Sequence, residues 1–194
     1  MQTDNTLIQL FAPIIEDGLI ADGFTNVVVQ QANQPTQQGI PTNHTVYFYK
    51  VANKRFGFLE RKDDWNPNTA RMDHHERQYY ETTFRIQALV LQSVTSPTYT
   101  ASDLANEVAS ILQSDNTLAI LNAQGVGILR ITEISNPYFT DDRDNFEALP
   151  SFDFTLLYLN DRFSTNPIVD TFQYGIYPVY VKRKAHVDKH YALC

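Results

Sequence analysis

A chain of 194 residues with a formal net charge of −7, 43% hydrophobic and 12% aromatic, suits one globular domain with a buried core and is not a disordered composition. No apolar run approaches the roughly 18 residues a membrane helix needs, and MQTDNTLIQLF lacks the basic region and cleavage site of a secretory signal. The lone Cys194 rules out an internal disulfide, so the expectation is a soluble protein made in a reducing cytosol.

The first predicted element is a helix from about Asn5 to Ala21, with Leu7, Leu10, Phe11, Ile14 and Ile15 in one apolar stripe. Asp4 or Thr6 can cap its start, Gly18 and Gly23 bracket its end, and Pro13 must kink it or mark a second start. Asn26–Gln31 reads as a short β-branched strand, followed by a turn-rich link over Asn33–Asn43. Thr45–Val51 alternates as a strand does. From about 53 to 77 the chain turns polar and loses periodicity, which is too long for an ordinary connector. Phe56, Phe58, Leu59 and Trp65 within it favour a projecting arm with aromatic anchors for an interface; the bland alternative is a loop folded onto its own domain.

Gln78–Val94 is the longest strand candidate, with Tyr80, Thr82, Phe84, Ile86, Ala88 and Val90 on one face. Its other face starts polar and turns apolar, as expected of a strand that runs from a domain edge into a core. A helix with a Thr100–Asp103 capping box follows, burying Leu104, Val108, Ile111 and Leu112, then a shorter one over Asn116–Leu121. Gly127–Ser135 and Ser151–Leu159 alternate as strands, and Thr171–Val181 is a last strand bent by Gly175 and Pro178. The order α-β-β-β-α-β-β-β gives an α+β domain over residues 1–177, with a mostly antiparallel central sheet and helices packed on one side. Residues 178–194 form a basic tail: Lys182, Arg183, Lys184 and Lys189 against Asp188 give +3, while the other 177 residues carry −10. An acidic body with a basic tail suggests contacts between subunits at least as readily as nucleic-acid binding.

No catalytic, cofactor or metal residue stands out. Asp141, Asp142 and Asp144, with Glu147 and Asp153, form the densest carboxylate cluster but lack the ligand spacing of a calcium loop. A solvated acidic turn is the plain reading; lining a channel that lets DNA slide is a second; a metal-dependent hydrolase using residues 141–153 is a third. His74 and His75 are adjacent, so they point to opposite faces of any strand, and a polar loop is expected there. His44, His186 and His190 are isolated. A nucleic-acid module using the basic tail and tyrosines is a further alternative, opposed by the acidic body.

AQGVGILRIT (123–132), NPYFTDDRDNFE (136–147) and PSFDFTL (150–156) carry a resemblance to the neck or tail terminator proteins of long-tailed bacteriophages. The resemblance covers roughly residues 45–160. It implies a non-enzymatic virion protein with a compact α+β domain, assembled in the host cytoplasm without cofactor or membrane. Such a protein is commonly a hexameric ring that caps the tail tube and presents the docking surface for the head-side neck. Its partners would then be further copies of itself, tail tube and sheath proteins, a collar protein, and genomic DNA passing without sequence-specific binding. An adaptor or stopper ring one position nearer the head is the close variant. The 53–77 arm and the tail residues Lys182, Arg183, Lys184 and Lys189 match no family pattern and are interface candidates on composition alone.

Overall fold

The computed structural model describes residues 3–32, 43–91, 99–140 and 146–166. The expected strand over Thr171–Val181, most of the 33–43 link, Asp141, Asp142, Asp144, His186, His190 and the basic tail lie outside the described residues. The elements are α1 (Asp4–Ala21), β1 (Val27–Gln31), β2 (His44–Asn66), β3 (Arg71–Leu89), α2 (Ala101–Gln113), α3 (Asp115–Ala123), β4 (Val126–Ile131), β5 (Tyr138–Thr140), β6 (Phe146–Ala148) and β7 (Ser151–Asn166). Five strands form one sheet in the order β1-β2-β3-β7-β4, in which only β1–β2 is parallel, and β5 pairs with β6 separately. The α+β class with a mostly antiparallel sheet and the helices on one side is therefore what the alternation of the core strands indicated.

Helix α1 buries Leu7, Phe11, Ile15 and Leu19, one residue per turn, against the sheet. Its cap is Thr3, whose Oγ1 accepts from the Thr6 backbone N–H at 3.2 Å, rather than Asp4 or Thr6. Asp4 already lies in the first turn, where its carboxylate complements the positive end of the helix dipole and takes a 2.8 Å ion pair from Lys50. Pro13 sits on the exposed face and α1 runs through it without interruption, because water can satisfy the carbonyl that loses its donor. Gly18 does not end the helix. A Cβ there would lie 2.7 Å from Cγ2 of Ile111, so glycine is what lets α1 and α2 pack this closely.

The expected capping box of α2 is present. Thr100 Oγ1 accepts from the Asp103 N–H at 3.1 Å, and the Asp103 carboxylate accepts from the Thr100 N–H at 2.9 Å. That backbone bond, with a second from the Thr100 hydroxyl, holds the Asp103 carboxyl below its ordinary range. The core centres on Phe11, whose ring meets Phe48, Phe84 and Phe154 edge-on at centroid distances of 5.2, 4.9 and 5.2 Å. Phe84, Ile86 and Ala88 of β3 and Phe152, Phe154 and Leu156 of β7 complete it.

Strand lengths depart most from expectation. β2 continues past Val51 to Asn66, and β3 starts at Arg71, so the 53–77 stretch is a bulged antiparallel hairpin rather than a loop. β7 likewise continues past Leu159 to Asn166. β4 ends at Ile131, and a single bridge, Ser135 to Ser151, carries the pairing to the end of the region read as strand. Part of the acidic loop is the β5–β6 hairpin.

Candidate assembly interface

Beyond the core, β2, β3 and β7 continue together as a three-stranded arm. β1 pairs with β2 only through Phe48, and β4 pairs with β7 only through Tyr158. From Val51 to Asn66 on one side and Leu159 to Asn166 on the other, the arm's edges have no strand partner among the described residues. β3 and β7 stay in register throughout, from Gln87–Ser151 to Met72–Asn166. The Tyr80 and Tyr158 rings stack at 6.0 Å where the core gives way to the arm, and the Tyr158 hydroxyl bonds Thr82 at 3.2 Å.

β2 breaks register twice, between Lys50 and Ala52 and between Phe56 and Glu60. The second bulge is set by Gly57, at φ +71°, a left-handed conformation that glycine adopts without penalty. Gln78, buried from β3, donates its side-chain amide to the Phe56 carbonyl at 2.6 Å and so closes the bulge from inside. The consequence falls on Phe58, which is 99% exposed. At the tip, the Asn68 N–H donates to Asn66 Oδ1 at 3.1 Å, an Asx turn, and Asn66 Nδ2 donates to Asp73 at 2.9 Å.

The two faces of the arm differ. On the face turned away from the helices, Phe56, Tyr79 and Leu159 stand in one cross-strand row, all exposed. The next rows are charged. Asp161 accepts from Arg77 Nε at 3.1 Å and contacts His75 Nδ1 at 3.2 Å. Burial would raise the Asp161 carboxyl, but His75 and Arg77 together outweigh it and hold it below its ordinary value. His75 also meets the Phe163 ring at 5.2 Å. On the opposite face His74 Nδ1 bonds Asp63, and its Nε2 lies 3.6 Å from Glu76, which also pairs with Arg61 at 3.5 Å. The Asp63 bond chiefly raises the His74 pKa, against a smaller opposing effect of burial. A concavity of about 690 Å³ opens along the arm, bounded by Arg55, Leu59, Glu76, Gln78 and Tyr80 among others.

The expected anchors are thus all on β2. Phe56, Phe58, Leu59 and Trp65 are exposed but spread along the strand rather than gathered into one patch. Three residues absent from that expectation, Tyr79, Leu159 and Phe163 (56% exposed), add to the arm's apolar surface. Past Leu159 the sequence NDRF does not alternate, so no local pattern pointed to Phe163. His74 and His75 sit on a strand, not a loop, and do face opposite ways, toward Asp63 and Asp161. Glu147 is in β6, whereas Asp153 is separated from any acidic cluster by its partner. Arg85 holds it by two bonds, Nε to Oδ1 at 2.6 Å and Nη2 to Oδ2 at 3.0 Å, and this raises the Arg85 pKa further. Among the described residues no group of three or more His, Cys, Asp or Glu side chains could hold a metal ion.

Charge is partitioned between layers. The three helices hold Asp4, Glu16, Asp17, Asp103, Glu107 and Asp115 and no Lys, Arg or His. The described basic residues all lie on the sheet and its arm. A family model described as E217 gateway protein gp29 matches residues 6–168, which takes in core and arm and stops before the basic tail. No curated protein matches the chain.

Proposed function

The chain belongs to the E217 gateway protein gp29 family, and from that premise we propose that it is a structural protein of the bacteriophage head–tail junction, working as a tail terminator. In this reading several copies, six in the expected form, close into a ring on top of the tail tube. The ring stops tube growth, receives the head-side neck, and leaves a channel for DNA. It acts in the virion after assembly in the host cytoplasm, beside tube, sheath and collar proteins.

One observation carries the reading: a sheet arm that leaves its own core with both edges unpaired among the described residues and aromatic side chains turned to solvent. Monomeric proteins blunt long edges or cover them. A ring built by rotation needs two different patches per copy, and the arm offers two different edges, that of β2 and that of β7. Phe56, Phe58, Leu59 and Trp65 are assigned to that contact, and Lys182, Arg183, Lys184 and Lys189 to a second one. The carboxylates Asp141, Asp142, Asp144 and Glu147 are assigned to the channel side. The hydrolase alternative is weakened by Asp153, whose carboxylate is already committed to Arg85.

Electron microscopy of the purified protein tests this directly, with rings as the expected image. Replacing Phe58 and Trp65 with Ala, or removing residues 178–194, should reduce the mass by light scattering to that of one chain while circular dichroism stays unchanged. A wild-type protein that remains a single chain, alone and with tail tube protein, would refute it.

A further inference from the structure

A groove of about 510 Å³ lies between the three helices, on the side of the molecule away from the sheet. Its apolar lining comes from Ile14, Ile111 and Ile120, and its charge from Asp17, Asp22 and Glu107. Asp17 and Asp22 are exposed, Glu107 is half-buried, and among the described residues none of the three has an ion pair to a cation. Burial, and then the neighbouring Asp22 carboxyl, raise the Glu107 pKa, so a cation brought into the groove from outside would relieve that repulsion.

The chain's own surplus of cations lies in residues 178–194, where Lys182, Arg183, Lys184 and Lys189 are flanked by Tyr180, Val181, Val187 and Tyr191. Apolar and basic residues in one segment match an apolar and acidic groove. We propose that this groove receives the C-terminal segment 178–194 of a second copy of the chain, tying each subunit of the assembly to its neighbour. The proposal rests on the ring reading and adds to it the receptor for the tail.

Chain length favours a neighbour over the same molecule. α1 starts at Lys50 and runs back toward the end of the sheet where β1 pairs with the start of β2, so the groove lies away from the arm. β7 carries the chain the other way. From Phe154, level with Lys50, to Asn166 at the tip is 12 residues, about 40 Å of strand. The first tail cation, Lys182, is 16 residues further on, at most about 58 Å when fully extended. Docking in the same chain would demand a nearly extended return along the arm and across to the helices, whereas docking in a second copy carries no such demand.

The test uses the full chain and two charge reversals. One carries Asp22→Lys and Glu107→Lys in the groove; the other carries Lys182→Glu, Arg183→Glu and Lys184→Glu in the tail. Each alone should lose the ring and run as one chain by light scattering. An equimolar mixture should regain ring mass, because every groove then meets a neighbour's tail of opposite charge in an alternating ring. Recovery only when both sets of changes share one chain would overturn the neighbour assignment in favour of the same chain's tail. The milder pair Asp22→Asn and Glu107→Gln preserves shape and should weaken ring formation at least tenfold. Rings of unchanged stability in that pair would overturn the docking while leaving the ring reading intact; a wild type that forms no ring overturns both.

Discussion

The two halves of β3 are one strand under opposite conditions. From Thr82 to Ala88 every second side chain is fully buried beneath α1 and α2, together with Val46 and Phe48 on β2 and Phe152, Phe154 and Leu156 on β7. From Arg71 to Glu81 the same backbone, with the same pairing, carries side chains that are mostly half-buried and held by ion pairs and ring contacts across the strands. Pairing with β7 is continuous through both halves, so what differs on that side is burial. In the core half the side chains specify a fold, and in the arm half, on the reading proposed above, they are left to specify a partner.

The largest expected effect tests the core half. Phe11→Ala removes the ring that three other phenylalanines pack against and should cost about 3–5 kcal/mol of unfolding free energy, read by urea denaturation. Asp153→Ala leaves the Arg85 guanidinium without its bidentate partner and should cost about 1–3 kcal/mol by the same measurement. Gly57→Ala lies on the arm, where open space surrounds the position and the cost comes from its positive φ alone, about 1–2 kcal/mol locally. It should appear as faster amide exchange around the bulge rather than as a lower global stability. Phe58→Ala sharpens the contrast most: its stability should change by less than about 0.5 kcal/mol, with the loss confined to assembly.

The smallest effect is electrostatic and belongs to the arm. The His74 pKa is raised above its ordinary 6.5 in the folded arm, so the pairing with Asp63 stabilises fully below that value and is lost as pH rises through the higher folded one. A histidine titration by nuclear magnetic resonance should place the His74 midpoint above 6.5, and Asp63→Asn should bring it back down. A midpoint at or below the ordinary value in the wild type would remove this contribution.

The same contrast decides what could be read in advance. The core half was legible because burial on one face imposes period two on Thr82, Phe84, Ile86 and Ala88, and period 3.6 on α2. The arm half was not, because a strand exposed on both faces has no reason to alternate: KRFGFLERKDDWN shows no pattern although all but the bulge at residues 57–59 sits in a ladder. What remained visible there was composition, aromatics within a charged stretch, which suggested a projecting arm but gave no sign of regular structure. The Thr100 capping box could be found because its partners are three residues apart. Asp153 and Arg85, 68 apart in the chain, could be joined only by the register of β3 and β7, and Gly18 with Ile111 only by the crossing of two helices.

The unbroken register between β3 and β7 has a mechanical consequence. Between β3 and β7 no break in pairing separates the tip of the arm from the phenylalanine cluster, so a pull along these two strands loads the whole row of bonds between them in shear and not one after another, as peeling would. The arm is therefore a stiff lever, able to convey a push or tug at Trp65 directly to the floor beneath α1.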